Sequence, residues 1–259
     1  MSIDKSRILN AAALEQLDVH VFDSLPSTNT WLLDNPVTPG QARLCITEEQ
    51  TQGRGRRGNV WHSTPSRNIT MSLGWSFAVW PAQITGISLT VGMVVVEQLN
   101  SALKLGAKVK WPNDIMVGDR KLGGILIELS GQPASACQLV IGIGLNVQQA
   151  QQDGVESDYD WADLASLGLD LDRSLFVGEL CRELVSALKA FEQYGFARLQ
   201  QAWPEYCYFG SRQITVNHEG ETIVGHMSGV AADGSMILTD NHGQQHTFAD
   251  AALQIRLVA

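Results

Sequence analysis

Cysteine, basic residues and long apolar runs are all scarce in this chain of 259 residues, and each scarcity removes a class of function. Only four cysteines occur, Cys45, Cys137, Cys181 and Cys207. They lie far apart, with none of the close spacing that metal sites or dithiol motifs use, so free buried thiols in a reducing compartment are expected. Lysine and arginine total 18 against 27 acidic residues, for a formal net charge of -9. A broad nucleic-acid footprint needs a basic face that displaces counterions, so no nucleic-acid partner is expected outside a local patch. The N-terminal segment has scattered charges and no apolar run of signal-peptide length, and no later segment approaches the uninterrupted apolar length of a membrane span. A cytoplasmic protein without a membrane partner follows as the expectation. Asn68-Ile69-Thr70 fits the glycosylation pattern, but without a secretion signal it reads as a chance match.

What is present is material for a core: 44% of the residues are hydrophobic and 17% charged, enough for one large core and a small satellite unit. Apolar or alternating runs bounded by Gly, Pro, Asn and Asp predict strands at Leu44–Thr47, Ile69–Trp75, Val109–Trp111, Lys121–Leu129 and Gln138–Ile143. Ile87, Val91, Val94, Val95, Leu99 and Leu103 recur at helical spacing with Gly106 as a stop, and Phe176, Leu180, Leu184, Leu188 and Phe191 repeat the pattern before Gly195. Residues 1–210 therefore read as an α+β unit, a mixed sheet flanked by helices. Beyond Gly210, runs at Gln213–Val216, Gly225–Val230, Met236–Thr239, His246–Phe248 and Leu253–Leu257 predict a small β-barrel over 211–259.

Five segments carry chemistry. Gly53-Arg54-Gly55-Arg56-Arg57-Gly58 matches the dinucleotide-binding expression, but no helical pattern opens inside it, which that fingerprint requires. Three arginines on a glycine-flexible backbone suit a loop that wraps a carboxylate or phosphate; a solvated basic turn is the plain alternative. Lys110-Trp111-Pro112-Asn113-Asp114 sets an amide and a carboxylate at a strand end, or simply makes a hairpin turn. Lys121-Leu122-Gly123-Gly124 opens a strand with a cation. Val140 to Asn146 is a buried strand whose two glycines, Gly142 and Gly144, suggest a ligand or another backbone approaching closely. In Ser27-Thr28-Asn29 at least one hydroxyl should cap a helix, leaving others for a polar ligand.

Taken in order, Ser27-Thr28-Asn29, the 53–58 loop with Trp61, Lys110 to Asp114, Lys121 to Glu128 and Gly142 to Asn146 resemble the biotin protein ligase family over nearly the whole chain. The resemblance implies a catalytic domain like those of class II aminoacyl-tRNA synthetases and biotin synthetases, followed by an SH3-like β-barrel. It also implies ATP and Mg²⁺, an acyl-adenylate, and transfer of biotin to a lysine of a biotin carboxyl carrier protein. By that carry-over Arg54, Arg56 and Lys121 surround the biotin carboxylate and α-phosphate. Ser27, Thr28 and Gln50 face the ureido head, with Asn29, Gly53, Trp61 and Gly123 completing the biotin site. Arg57, Asn113, Asn146 and Trp161 join Arg56 and Lys121 around ATP, and Asp114 orients or deprotonates the acceptor lysine. The resemblance leaves the metal ligands unassigned, the ion riding mainly on the ATP phosphates. A weak or ligand-promoted homodimer is expected. Because 26 residues precede Ser27, too few for the winged helix-turn-helix of some members, a form without a DNA-binding domain is expected. Two rivals stand beside this reading. A lipoate or octanoate ligase shares the fold, but its substrate would leave ureido-binding groups unsatisfied. A non-catalytic biotin sensor would not need Lys121, Arg56 and Asp114.

Overall fold

The computed structural model describes residues 2–78, 84–131, 136–148, 160–218, 220–249 and 253–258. The chain runs through α1 (Lys5–Ala12), β1 (Leu17–Leu25), α2 (Thr28–Asp34), β2 (Ala42–Gln50), β3 (Ile69–Phe77), α3 (Ile84–Leu103), β4 (Lys108–Lys110), β5 (Asp114–Val117), β6 (Arg120–Gly131), β7 (Cys137–Leu145), α4 (Arg173–Tyr194) and α5 (Trp203–Tyr206). It then forms β8 (Gln213–His218), β9 (Glu221–Val230), β10 (Met236–Asp240), β11 (Gln245–Phe248) and β12 (Gln254–Leu257). The first seven strands make one mixed sheet in the order β1-β2-β3-β7-β6-β5-β4, with β1 and β2 parallel and the remaining pairs antiparallel. The last five make a separate antiparallel sheet, β11-β10-β9-β8-β12, as expected of an SH3-like unit.

Side chains alternate across a strand, and that alternation gives the large sheet two unlike faces. Leu44 and Ile46 of β2, Met71 and Leu73 of β3, and Leu139, Ile141 and Ile143 of β7 join the main core, which α1, α3 and α4 cover. The intervening positions, Cys45, Ser72, Gly74, Val140, Gly142 and Gly144, belong to the opposite face. Among the described helices the short α2 packs there, with Leu32 against Cys45 and Val140, and much of the face is left for a site. α3 is long and apolar enough by length and composition to cross a membrane; here it packs against α4 and strand β6. Lys104 and Gly106 have positive φ just beyond α3, and Gly195 has a φ of 63° at the end of α4, so the glycine stops read from the sequence hold.

The structure adds α1, β1 and β5, which pattern did not reveal, and ends β4 at Lys110, so that Trp111 lies in a turn instead of a strand. Asp4 caps α1 by accepting from the Arg7 amide at 3.0 Å. Cys45, Cys137, Cys181 and Cys207 are all free and buried. Burial pushes the Cys45 and Cys181 thiols up to about 12, which keeps them neutral and inert.

One buried ion pair ties distant segments together. Arg173, at the start of α4, grips both oxygens of Glu48 on β2, Nη1 to Oε2 at 2.7 Å and Nη2 to Oε1 at 3.3 Å. It also donates to the Asn68 carbonyl at 3.0 Å. Glu48 Oε1 accepts from the Ile3 amide as well, at 2.8 Å. Asn68, the residue of the glycosylation pattern, is buried and its side chain accepts from the Val147 amide at 3.0 Å.

Candidate active site

The site is built on the sparsely covered face of the large sheet, starting where α2 begins. Ser27 caps that helix, its Oγ accepting from the Thr30 amide at 3.4 Å. Capping uses an oxygen lone pair and leaves the Ser27 proton available to a ligand. Thr28 donates both its backbone N–H, at 2.8 Å, and its hydroxyl, at 3.1 Å, to Gln50 Oε1. Asn29 is buried and both ends of its amide are engaged: Nδ2 with Glu128 Oε2 at 2.7 Å and the Leu126 carbonyl at 3.4 Å, Oδ1 with Ser72 Oγ at 2.5 Å.

The arginine loop folds as a narrow hairpin. Trp61 donates to the Gly53 carbonyl at 3.0 Å, Gly55 donates to the Asn59 carbonyl at 2.7 Å, and Arg54 bridges Val60. The tip, Arg56–Gly58, is a single 3-10 turn with Arg57 left-handed at φ 58°, so no helix opens here and the dinucleotide reading fails on structure as well. A Cβ on Gly53 would fall 2.3 Å from the Trp61 carbonyl oxygen, so only glycine lets the hairpin base close. Closing it lays the Trp61 ring on the sheet, where a Cβ on Gly144 would meet the indole at 2.4 Å and one on Gly124 at 3.4 Å. A Cβ on Gly142 would meet Asn29 Oδ1 at 2.4 Å. The close approach that the β7 glycines signalled is therefore made by the side chains of Trp61 and Asn29, neither a ligand nor a backbone.

Three cations of the site rest on internal oxygens. Arg54 pairs with Glu128 at 2.7 Å, Lys121 with Asp114 at 2.7 Å, and Arg56 donates to Asn113 Oδ1 at 2.8 Å. Asn113 is itself fixed in the β4–β5 turn, where Nδ2 donates to the Ile125 carbonyl at 3.0 Å. Asn146 donates to the Ala162 carbonyl at 3.1 Å, and Trp161 pairs with Lys121 as a one-residue bridge. Trp161, for which the sequence offered no motif, is thus brought beside the site cation by backbone pairing. Trp61 Nε1 and Asn146 Oδ1 are buried with no hydrogen-bond partner among the described residues. A ligand group reaching either would relieve a cost of about 1–3 kcal/mol.

A cavity of ≈ 990 Å³ joins these elements. Of the residues expected in the site, Ser27, Thr28, Asn29, Gln50, Arg54, Arg56, Arg57, Trp61, Asn113, Asp114, Lys121, Asn146 and Trp161 line it. Gly53 and Gly123 do not. Gly53 serves the hairpin base, and Gly123 abuts the Gly144 carbonyl and Leu145, where a Cβ would stand 2.5 Å from each, while Gly124 faces the cavity. Sequence reasoning missed Lys110, a cation only 6% exposed that also lines the cavity, with its ammonium 6.0 Å from the Phe209 ring centroid. Its signal was its place in the Lys-Trp-Pro-Asn-Asp run. It also missed Leu253 to Arg256, which reach the same cavity from the small sheet. The small sheet is held against the site by Trp111, whose Nε1 donates to the Gly234 carbonyl at 3.0 Å.

Residues 21–146 match the Biotin/lipoate A/B protein ligase family. Over 239 residues the chain is 38% identical to the bifunctional ligase/repressor BirA of Escherichia coli, covering 90% of this chain and 74% of that protein. The chain belongs to the biotin protein ligase family. The biotin–[acetyl-CoA-carboxylase] ligase of Mycobacterium tuberculosis is 38% identical over 146 residues, 54% of this chain and 52% of that protein. In fold, the ligase is similar to the Aquifex aeolicus biotin protein ligase solved with biotin and ATP, at a TM-score of 0.78 and 22% identity over 93% of this chain and 99% of that one.

Proposed function

We propose that this ligase condenses biotin with ATP to biotinyl-5'-AMP and pyrophosphate, then transfers biotin to a lysine of a biotin carboxyl carrier protein. The observation that carries the reading is the meeting, in one cavity, of a small polar recess (Ser27, Thr28, Gln50) with a cluster of cations (Arg54, Arg56, Lys121). A cyclic urea fits the first and a carboxylate beside a phosphate fits the second. Bringing two anions together is the main obstacle to adenylation, and fixed cations offset it where the transition-state charge develops.

In the first step a carboxylate oxygen of biotin attacks the α-phosphorus and the bond to the β-phosphate oxygen breaks, releasing pyrophosphate. Lys121 exchanges Asp114 for the reacting anions, and Arg54 and Arg56 exchange Glu128 and Asn113 in the same sense. Trp61 walls the apolar part of biotin, while Arg57, Asn113, Asn146 and Trp161 contact the nucleotide. Asp114, once released from Lys121, takes a proton from the acceptor lysine, since an ammonium is no nucleophile. The neutral amine then attacks the acyl carbon, the C–O bond to phosphate breaks and AMP leaves. Mg²⁺ bound to the phosphates would supply charge neutralisation for the leaving pyrophosphate. Asp114, the carboxylate lining the cavity, is already paired with Lys121. Among the described residues no group of three His, Cys, Asp or Glu side chains converges as a metal site, and no step is routed through the ion.

The reading divides the chain into a catalytic unit of residues 1–210 and a small unit of 211–259 that contributes Leu253 to Arg256 to the cavity wall. It includes a cytoplasmic location and a weak or ligand-promoted homodimer. Sedimentation showing a strict monomer at high concentration with biotin and ATP would remove the dimer from it.

The test is direct. Purified protein is mixed with ATP, Mg²⁺ and either biotin or lipoate, and mass spectrometry follows the acyl-adenylate and the mass added to a carrier domain. Biotinyl-adenylate followed by a biotinylated lysine is the expected result. Lipoyl-adenylate in its place overturns the substrate, and biotin binding without adenylate leaves only a sensor.

A further inference from the structure

The turn between β4 and β5 touches two of the site cations, and its back is fastened to both units of the chain. In front, Asn113 Oδ1 accepts from Arg56 at 2.8 Å and Asp114 pairs with Lys121 at 2.7 Å. Behind, Ser88 of α3 donates to the Pro112 carbonyl at 2.8 Å. There too the indole of Trp111, 2% exposed, donates to the Gly234 carbonyl of the small unit at 3.0 Å. Gly234 is presented by a turn closed on itself between β9 and β10. Its amide donates to the Ala231 carbonyl at 2.9 Å, the Ala231 amide to the Ser235 carbonyl at 2.8 Å, and the Ser235 amide to Asp233 Oδ1 at 2.8 Å. That turn rests on α3, since a Cβ on Gly234, whose φ is +86°, would stand 2.6 Å from the Gly86 nitrogen. Breaking the Trp111 bond would leave a buried N–H and a buried carbonyl without partners, so the contact fixes the spacing of the two turns.

We infer that Trp111 is a positioning residue that acts through Asn113: its bond to Gly234 sets where the Asn113 amide stands, and so where Arg56 is held before the anions arrive. Pro112 alone separates Trp111 from Asn113, and its ring fixes the backbone angle between them, so a shift of the indole is passed on with little loss. On the far side Asn113 is bound to β6, its carbonyl accepting from the Ile125 amide at 2.9 Å and its Nδ2 donating to the Ile125 carbonyl at 3.0 Å. The turn is thus stretched between β6 and the small unit, with Arg56 resting on its middle. A displacement well under 1 Å at a group that orients reactants is enough to slow a reaction severalfold. The inference deepens the adenylation reading, on which it rests for the step that Arg56 serves. A second tie between the units, Gln200 Nε2 donating to the Val230 carbonyl at 2.7 Å, is made at Val230 and not at the β4–β5 turn, and supplies a control of the same chemistry.

The experiment compares Trp111→Phe, which keeps a ring and removes the N–H, with Gln200→Ala, which cuts the other tie. Single-turnover formation of the adenylate from biotin and ATP is followed by rapid quench, and thermal melts are recorded for each variant. Both variants are expected to melt below the parent. Trp111→Phe is expected to form adenylate roughly tenfold more slowly, while Gln200→Ala stays within about twofold of the parent. In an Asn113→Ala background the cost of Trp111→Phe should shrink to about twofold or less, because the residue through which it acts is gone. A Trp111→Phe rate within about twofold of the parent, an equal slowing by Gln200→Ala, or a cost undiminished by Asn113→Ala overturns the inference and leaves the adenylation reading intact. If the parent itself forms no adenylate, that reading falls and the inference with it. Should Trp111→Phe fail to fold by circular dichroism, Gly234→Ala decides by the same comparisons, because its methyl group must push the Gly234 turn off α3 and carry the carbonyl away from Trp111.

Discussion

Lys121→Ala is expected to slow biotinyl-adenylate formation by on the order of 10² or more, with Lys121→Arg recovering part of the rate. Lys121 is the cation whose carboxylate partner, Asp114 at 2.7 Å, also lines the cavity, so an incoming anion can displace that partner without a change in the fold. Its backbone is fixed on both sides, the amide donating to the Asp160 carbonyl at 2.8 Å and the carbonyl accepting from the Ala162 amide at 2.9 Å. The ammonium is thus presented from a strand braced by neighbours, and little reorganisation is needed when charge develops. Single-turnover measurement of adenylate by rapid quench reads the step without the transfer that follows. A rate for Lys121→Ala within about threefold of the parent would remove Lys121 from the mechanism, because a group stabilising transition-state charge is worth far more than that.

Arg173→Ala is expected to destabilise the protein by about 3–5 kcal/mol and to lower the melting temperature by on the order of 10 °C. The cost comes from what is left behind. Arg173 and Glu48 side chains are only 7% and 11% exposed, so truncating the arginine strands a carboxylate away from water. Four segments lose their tie at once: the N-terminal residues through Ile3, β2 through Glu48, the Asn68 turn, and the start of α4. Removing both charges together, as Glu48→Leu with Arg173→Met, should restore most of the stability, since the pair repays its own desolvation poorly. Thermal melts of the single and double variants at low and high salt check both statements. A loss below about 1 kcal/mol for the single variant, or a strong salt dependence, would place this pair with exposed ones such as Arg43–Asp18.

How much of this was legible depended on distance along the chain. β2, β3, β6, β7 and all five strands of the small sheet showed themselves because burial of one or both faces writes its own period into consecutive residues. β5 is four residues long, too short for a period, and β1 is an edge strand whose charged Asp18 and Asp23 blur its alternation. α1 carries Lys5 and Arg7 in eight residues and is anchored mainly by packing on α4, which no local pattern records. In the site, Arg54, Arg56, Arg57, Lys121 and Asp114 were visible because cations and carboxylates in glycine-rich or proline-broken runs are unusual in so lightly charged a chain. Lys110 was hidden by its neighbours' louder signals. Arg256 was hidden because nothing in Leu253 to Leu257 differs from an ordinary strand.

By itself the sequence determined most of the element types, the family and the chemical character of the site, since these depend on residue type, local periodicity and short motifs. Only the tertiary structure decided which oxygens hold Arg54, Arg56 and Lys121, and that Trp61 and Asn29 fill the room left by Gly144 and Gly142. Most of those facts join residues far apart in the chain, such as Arg54 and Glu128, 74 positions apart, and Arg56 and Asn113, 57 apart. Sheet register and side-chain packing bring such residues together, and neither leaves a mark on the local pattern of the chain.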